Sequence, residues 1–395
     1  MNFKKLGLGM ITVIISVSFI LAGCGTSESK PDAAGTESST PAGNGKVAIN
    51  LYSNGSDNVR LTWESVLEAF KAKNPNIDVK LQFLASGTGG QGGLDRLIAA
   101  VKAGQKETDI DLLETDDNGL ARILAEAGKD ALTPLPADKI PNLKNVTAKS
   151  SVGGDNSLVF RGTTVLLAYN SEKVQTPPKT DEELYEWIRK NPGRFAYNDP
   201  TTGGAGESFV ITSIYNKLPA EALTSTDVKW KEQWTGGFDL LKELHPYMYK
   251  ASGKVQYPAK NQGTLDLLAS GEVDMIPAWA DMALDQMSQD LLPKSIKVTQ
   301  ITPSFTGGVV SVVVPSLSKH KEEAYKLMNF AVSPEGQKIF VEKQKAIPVI
   351  DNSLLTKETV DMLSGLEVKE FRINTIGKLG DEIKKKWQED IATLN

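Results

Sequence analysis

Three kinds of residue in this 395-residue chain could do chemistry, and each narrows the field. Histidine occurs only at positions 245 and 320 and cysteine only at Cys24, so histidine-based metal or triad chemistry has little raw material. No His-Glu-x-x-His or Gly-x-Ser-x-Gly motif occurs. Asp116 and Asp117 are carboxylates, but adjacent residues are poorly placed for two-sided attack on a glycosidic bond. Glycine-rich loops are better represented. Ser86-Gly87-Thr88-Gly89-Gly90-Gln91-Gly92-Gly93 and Thr201-Thr202-Gly203-Gly204-Ala205-Gly206-Glu207-Ser208 each run toward a helix start. Backbone N–H groups there can approach an anion or a polar oxygen, aided by the partial positive charge of the helix end. Neither loop ends in Gly-Lys-Ser/Thr, which argues against a nucleotide phosphate loop. Each could equally be a solvent turn.

Single side chains add to this set. Ser53, Asn54 and Gly55 follow the first strand and Glu114 the third, where strand ends of open α/β sheets point at a crevice. Glu114 could hold a cation or an amine, whereas Asp117 reads better as a helix cap. Trp279 could stack on a sugar, a ring or an amine, or simply fill the core, with Asp281 beside it. Arg161 could grip a carboxylate or phosphate with two hydrogen bonds, or pair at the surface. The expected contacts are therefore Ser53, Asn54, Gly55, Ser86, Gly87, Thr88, Gly89, Gly90, Glu114, Arg161, Thr202, Gly203, Gly204, Trp279 and Asp281. No cofactor and no metal is expected.

Periodicity supplies the elements that position these residues. Val47, Ile49 and Leu51 alternate as a strand; Val59, Trp63, Val66, Leu67 and Phe70 recur as a helix that Asn74-Pro75 stops. Val79–Phe83 and Ile110–Leu113 predict strands, and 94–101 and 120–124 helices. Strand and helix alternate, which predicts an α/β fold with helices covering a sheet. Two long β-type runs, Leu158–Asn170 and Phe305–Val314, could cross between two lobes. Thr180 with Glu183 forms a capping box, Val273–Pro277 predicts a strand ending at a turn, and Ser333-Pro334 starts a helix.

The N-terminus has its own logic. Lys4 and Lys5 precede an uncharged apolar run, Leu6–Ile20, and then Leu21-Ala22-Gly23-Cys24. That order predicts a signal peptide over residues 1–23, its apolar run short of the roughly 20 residues that span a bilayer. The last four residues resemble a lipobox, in which the cysteine is lipidated. Residues 24–45 are rich in Ser, Thr, Gly and Pro and predict a flexible tether. Cleavage before Cys24 leaves 372 residues, enough for two lobes, with the net charge moving from −5 to −7. An acidic surface argues against a general nucleic-acid binder.

Taken in order, these features resemble the bacterial extracellular solute-binding proteins of ABC importers. The match runs through lipobox, tether, Lys73-Asn74-Pro75-Asn76-Ile77-Asp78-Val79, Val165–Lys173 and Ala269–Met275. It is most specific at Lys321–Phe330 followed by Ser333-Pro334-Glu335-Gly336-Gln337-Lys338. Asn191–Tyr197 also looks like the branch of iron, thiamine and phosphonate binders. The resemblance implies a two-lobed periplasmic-binding-protein-like fold, each lobe a sheet flanked by helices, joined by crossing hinge strands. It implies lobe 1 over 46–160 and 305–345, and lobe 2 over 161–304 and 346–395. It further implies a monomer outside the cytoplasm, membrane-anchored through Cys24, that takes a small polar ligand to importer permease subunits and is not an enzyme. A lipid-anchored hydrolase and a ligand sensor on the same fold are the competing expectations.

Overall fold

Three parallel strands begin the folded chain. In this computed structural model, which describes residues 45–86, 92–363, 366, 368 and 371–394, β1 is Val47–Gly55. Helix α1 (Asp57–Lys73) carries the chain to β2 (Ile77–Ala85), and α2 (Gly93–Lys102) leads on toward β3 (Leu112–Asp116). β1 pairs in parallel with β2 along its whole length and with β3 on its other side. Val59, Trp63, Val66 and Phe70 are the buried face of α1, four and three residues apart as helical spacing requires. Helix α3 (Asp117–Glu126) follows β3 directly.

Strand β4 (Leu158–Asn170) is long enough to serve two cores. Its first half meets β9 (Gly307–Val313), and its second half meets the later strands β7 (Met275–Trp279) and β8 (Ile296–Thr299). Before those strands come α4 (Asp181–Lys190), α5 (Gly204–Tyr215), α6 (Thr235–Leu244), a two-residue-strand hairpin of β5 (Lys250–Ala251) and β6 (Lys254–Val255), and α7 (Lys260–Ser270). Helix α8 (Ala280–Ser288) follows β7. After β9 come α9 (Lys321–Ala331), α10 (Pro334–Gln344), α11 (Lys357–Asp361) and α12 (Leu379–Asp390). The sheet order is β2-β1-β3-β9-β4-β7, with β8 also on β4.

Each half has a main apolar core of its own, with a smaller apolar cluster besides. One gathers Ile49, Trp63, Phe70, Leu158, Phe160, Val312, Leu327, Phe340 and Val349. Trp63, Phe160 and Phe340 pack there in tilted and edge-to-face pairs with ring centroids 5.0–5.3 Å apart, so truncating any of them to alanine costs roughly 3–5 kcal/mol. The other gathers Val165, Leu167, Phe209, Phe238, Met275, Phe305, Leu379 and Trp387. β4 therefore enters one core at Leu158 and the other at Val165. Phe305, just ahead of β9, belongs to the second core, and Val309, Val310 and Val312 to the first. This is a two-lobed arrangement with crossing strands at its waist. α5 is buried on nearly every face, which is why its residues show no amphipathic spacing.

Two local expectations change. The strand expected to end at Pro277 continues through it to Trp279. β7 closes the sheet order, with β4 as its neighbour, and a proline is tolerated at such an edge because its missing N–H faces away from the ladder. The cap of α3 is Asp116, which accepts from Gly119 N–H at 2.8 Å, rather than Asp117. Asp117 instead accepts from the Ser150 hydroxyl and from Ser151 N–H at 3.0 Å, pinning the segment before β4. The capping box at Thr180 forms in a modified way: Thr180 accepts from Glu183 N–H at 3.1 Å, while Glu183 reaches back to Lys179 N–H at 2.6 Å.

Candidate functional site

The C-terminal ends of β1 and β3 and the first turns of α1 and α3 form one wall of a cleft of about 610 Å³. Residues of α5, α7, α8 and α12 form the other wall, and β4 and β9 cross its floor. The size lies within the roughly 300–1,000 Å³ of ordinary small-molecule sites. Parallel strands ending beside helix starts make this wall a natural place for polar solute groups.

On the first wall, Ser53, Asn54, Gly55 and Ser86 all line the cleft. Gly55 has φ +148°, and a Cβ there would come within 3.0 Å of Val59. Its carbonyl accepts from Ser86 N–H at 2.9 Å, which ties the two candidate loops together. Gly87, Thr88, Gly89 and Gly90 lie outside the described residues, as does Cys24.

Glu114 and Arg161 also line the cleft, yet they meet each other. Arg161 donates to Glu114 Oε1 at 2.7 Å. Glu114 Oε2 accepts from Ser53 at 2.5 Å and from the Trp63 indole at 2.7 Å. Both side chains are at least nine-tenths buried. This network sets the wall's shape and joins β1, α1, β3 and β4. Periodicity could not reveal it, because Glu114 and Arg161 are separated by 47 positions.

On the second wall the glycine loop divides. Gly204 reaches the cleft, with a hypothetical Cβ 3.0 Å from the Trp279 ring. Thr202 is turned inward, donating to the Asp199 carbonyl at 2.9 Å and accepting from Lys260 N–H at 2.7 Å. Gly203 sits where a Cβ would fall 2.6 Å from Asn261 Oδ1. The first-turn N–H groups of Ala205 and Gly206 donate to Asn261 and Asn198 at 3.0 and 2.8 Å. Asparagine side chains thus occupy donors that the sequence offers to a ligand.

Trp279 and Asp281 line the cleft together. Asp281 accepts from Gln344 at 3.0 Å, Thr163 at 3.3 Å and Asn58 at 3.4 Å. Gln344 and Asn58 belong to the first lobe's helices, so Asp281 is a junction between lobes. Two further contacts join the lobes on the α12 side. Gly377 N–H donates to Asn118 Oδ1 at 2.8 Å, and Lys378 pairs with Glu126 at 3.0 Å. Lys378, Lys102 and Arg122 hold the Glu126 carboxyl down to about 2.

Sequence reasoning missed Asn58, Thr163, Glu207, Ser208 and Lys384, all of which line the cleft. Glu207 is in the first turn of α5 and pairs with Lys384 of α12 at 3.4 Å. The quoted glycine loop contained Glu207 and Ser208, but its signal was glycine. Nothing local marks Lys384, which only the docking of α12 brings here.

A family model described as bacterial extracellular solute-binding protein matches residues 65–364 of the chain. No curated protein matches it significantly. Solved structures resemble it over most of their length. A spermidine/putrescine ABC transporter substrate-binding protein from Streptococcus pneumoniae aligns with TM-score 0.59 at 18% identity, covering 87% of this chain and 98% of its own. An ABC transporter structure from Clostridium perfringens gives 0.61 at 17%, covering 87% and 98%. A Trichodesmium protein in complex with iron and citrate gives 0.59 at 19%, covering 87% and 99%. At such identities the likeness speaks for the shared two-lobed fold and leaves the ligand open.

Proposed function

The chain belongs to the bacterial extracellular solute-binding proteins, and from that premise we propose that it captures a small polar solute by hinged closure and delivers it to the permease subunits of an ABC importer. One observation carries the reading. A cleft of about 610 Å³ lies between two separately cored lobes that share the crossing strands β4 and β9. Strands that pass from one core into the other can bend at the waist while each core stays intact. The same reading puts the lobe boundaries near the waist of β4 and the start of β9. It makes the protein a monomeric binder that leaves its solute chemically unchanged.

The reading also includes an anchor. Lys4, Lys5, the apolar run to Ile20 and Leu21-Ala22-Gly23-Cys24 support signal-peptide cleavage and lipidation of Cys24, with residues 24–45 as the tether. Among the described residues no helix is long and apolar enough to cross a membrane.

Binding is tested by thermal shift against a solute panel, followed by small-angle scattering with any hit. A solute at a hundredfold excess over its Kd stabilises by about 2.7 kcal/mol, and closure then shows as a smaller radius of gyration. Stabilisation without compaction would remove hinge closure from the reading.

A further inference from the structure

The cleft's charges do not balance. Among the described residues its lining has seven carboxylates, Asp95, Glu114, Asp116, Asp117, Glu207, Asp281 and Asp381, against four cationic side chains. Each of those cations already has partners. Arg161 meets Glu114, Arg122 meets Asp95 and Glu126, and Lys384 meets Glu207 and Asp381. Arg372 donates to Asn216 and to the Ser304 carbonyl. By contrast, among the described residues the hydrogen bonds to Asp116 and Asp281 come from neutral groups: the Gly119 N–H for the first, and Asn58, Thr163 and Gln344 for the second.

Resting on the solute-binding reading above, we propose that the solute is a small organic cation with N–H donors or an ammonium centre, held between Asp116 of the first lobe and Glu207 and Asp281 of the second. Three independent features agree. Asn58 Oδ1 is buried on a cleft-lining side chain and accepts no hydrogen bond within the described residues, so it suits an N–H donor. The Trp279 ring lines the same cleft beside Asp281, and an indole is the aromatic side chain that attracts a cation best. Asp116 and Glu207 bring like charge from opposite lobes. Burial raises the Glu207 carboxyl above its ordinary value; Lys384 opposes that rise, while the charges of Asp381 and Asp116 add to it. Asp116, hemmed by protein but open to the cleft's water, is raised by its surroundings and by Asp117. Arg161 Nε lacks an acceptor among the described residues, but Glu114 already balances that guanidinium's charge.

This arrangement couples charge to motion. Closing the empty cleft brings Asp116 toward Glu207 against their repulsion. A cation between them replaces repulsion with two attractions, so it binds the closed form better than the open one.

The test uses the full-length protein, calorimetric binding and melting temperature. Probes are 1,4-diaminobutane and choline as cations, succinate and inorganic phosphate as anions, and xylitol as a neutral solute. Cations are expected to bind, and Asp281→Asn and Asp116→Asn to weaken them by about tenfold or more each. Asparagine also caps helices, so Asp116→Asn keeps α3 intact. Binding of succinate, phosphate or xylitol alone overturns the cation assignment and leaves solute binding standing. Cation binding that both substitutions leave unchanged overturns the placement. A second arm needs no solute: Asp116→Asn/Glu207→Gln is expected to scatter as a more compact particle than the parent. Panel silence with unchanged scattering overturns the inference, whereas compaction of that variant upholds it.

Discussion

Arg161 Nη2 stands 2.7 Å from Glu114 Oε1, and this buried pair ties the crossing strand β4 to β3 at the cleft wall. The Trp63 indole and the Ser53 hydroxyl complete the carboxylate's shell on its other oxygen. A charge so enclosed is stable only while its partner is present. Its first consequence is for stability rather than for binding.

Glu114→Gln is expected to destabilise the folded body by roughly 3–5 kcal/mol, because it leaves the Arg161 guanidinium buried without its counter-charge. Glu114→Gln combined with Arg161→Met removes both charges and should cost less than the sum of the two single changes. Urea unfolding of the three variants measures the coupling. Additive losses would mean that the two residues stabilise the fold separately.

A second prediction concerns the Lys378–Glu126 contact, which links α3 to the segment leading into α12. The folded Glu126 carboxyl lies at about 2, below its ordinary 4.5. Its contribution is therefore complete above about pH 4.5 and is lost as pH falls from there toward about 2. Glu126→Gln should flatten the acid limb of stability in that window. Because Lys378 and Glu126 sit on different lobes, it should also give a larger radius of gyration at pH 7 without solute. Identical scattering and an unchanged acid limb would show that the contact carries no closing force.

Gly204→Val tests the second wall. A Cβ at this position meets the Trp279 ring at 3.0 Å, so the larger side chain displaces the indole from the cleft. Solute binding should weaken by about tenfold, with the melting temperature within a few degrees of the parent. Gly236→Val is the matched control, since a Cβ there has nothing within 4 Å among the described residues. Equal affinity in both variants would remove Trp279 from the site.

Cys24→Ser tests the anchor. The serine protein should lack lipid mass and leave the membrane fraction, while its solute binding stays that of the parent. Equal membrane retention with unchanged mass would defeat the lipobox reading.

Sequence and tertiary structure decided different things about this protein. Local pattern by itself determined elements in both lobes. The alternation of Val47, Ile49 and Leu51, the spacing of Val59, Trp63, Val66 and Phe70, and the caps at Thr180 and Ser333 all act over a few residues, and β1, α1, α4 and α10 follow them. The two long β-type runs identified the waist, because a strand that serves two cores runs past the length that one core needs, with apolar stretches on either side of a polar middle. Helix α5 escaped periodicity, since burial on nearly every face erases the amphipathic signal. The candidate site was legible as positions and not as partners. Ser53, Glu114, Trp279 and Asp281 were placed beside the cleft by their strand ends. That Glu114 turns to Arg161, that Asn198 and Asn261 occupy the N–H groups of α5, and that Lys384 meets Glu207 were decided by chain crossing alone. Those contacts join residues from 8 to 177 positions apart, and nothing in a local pattern encodes which distant donor satisfies which buried acceptor.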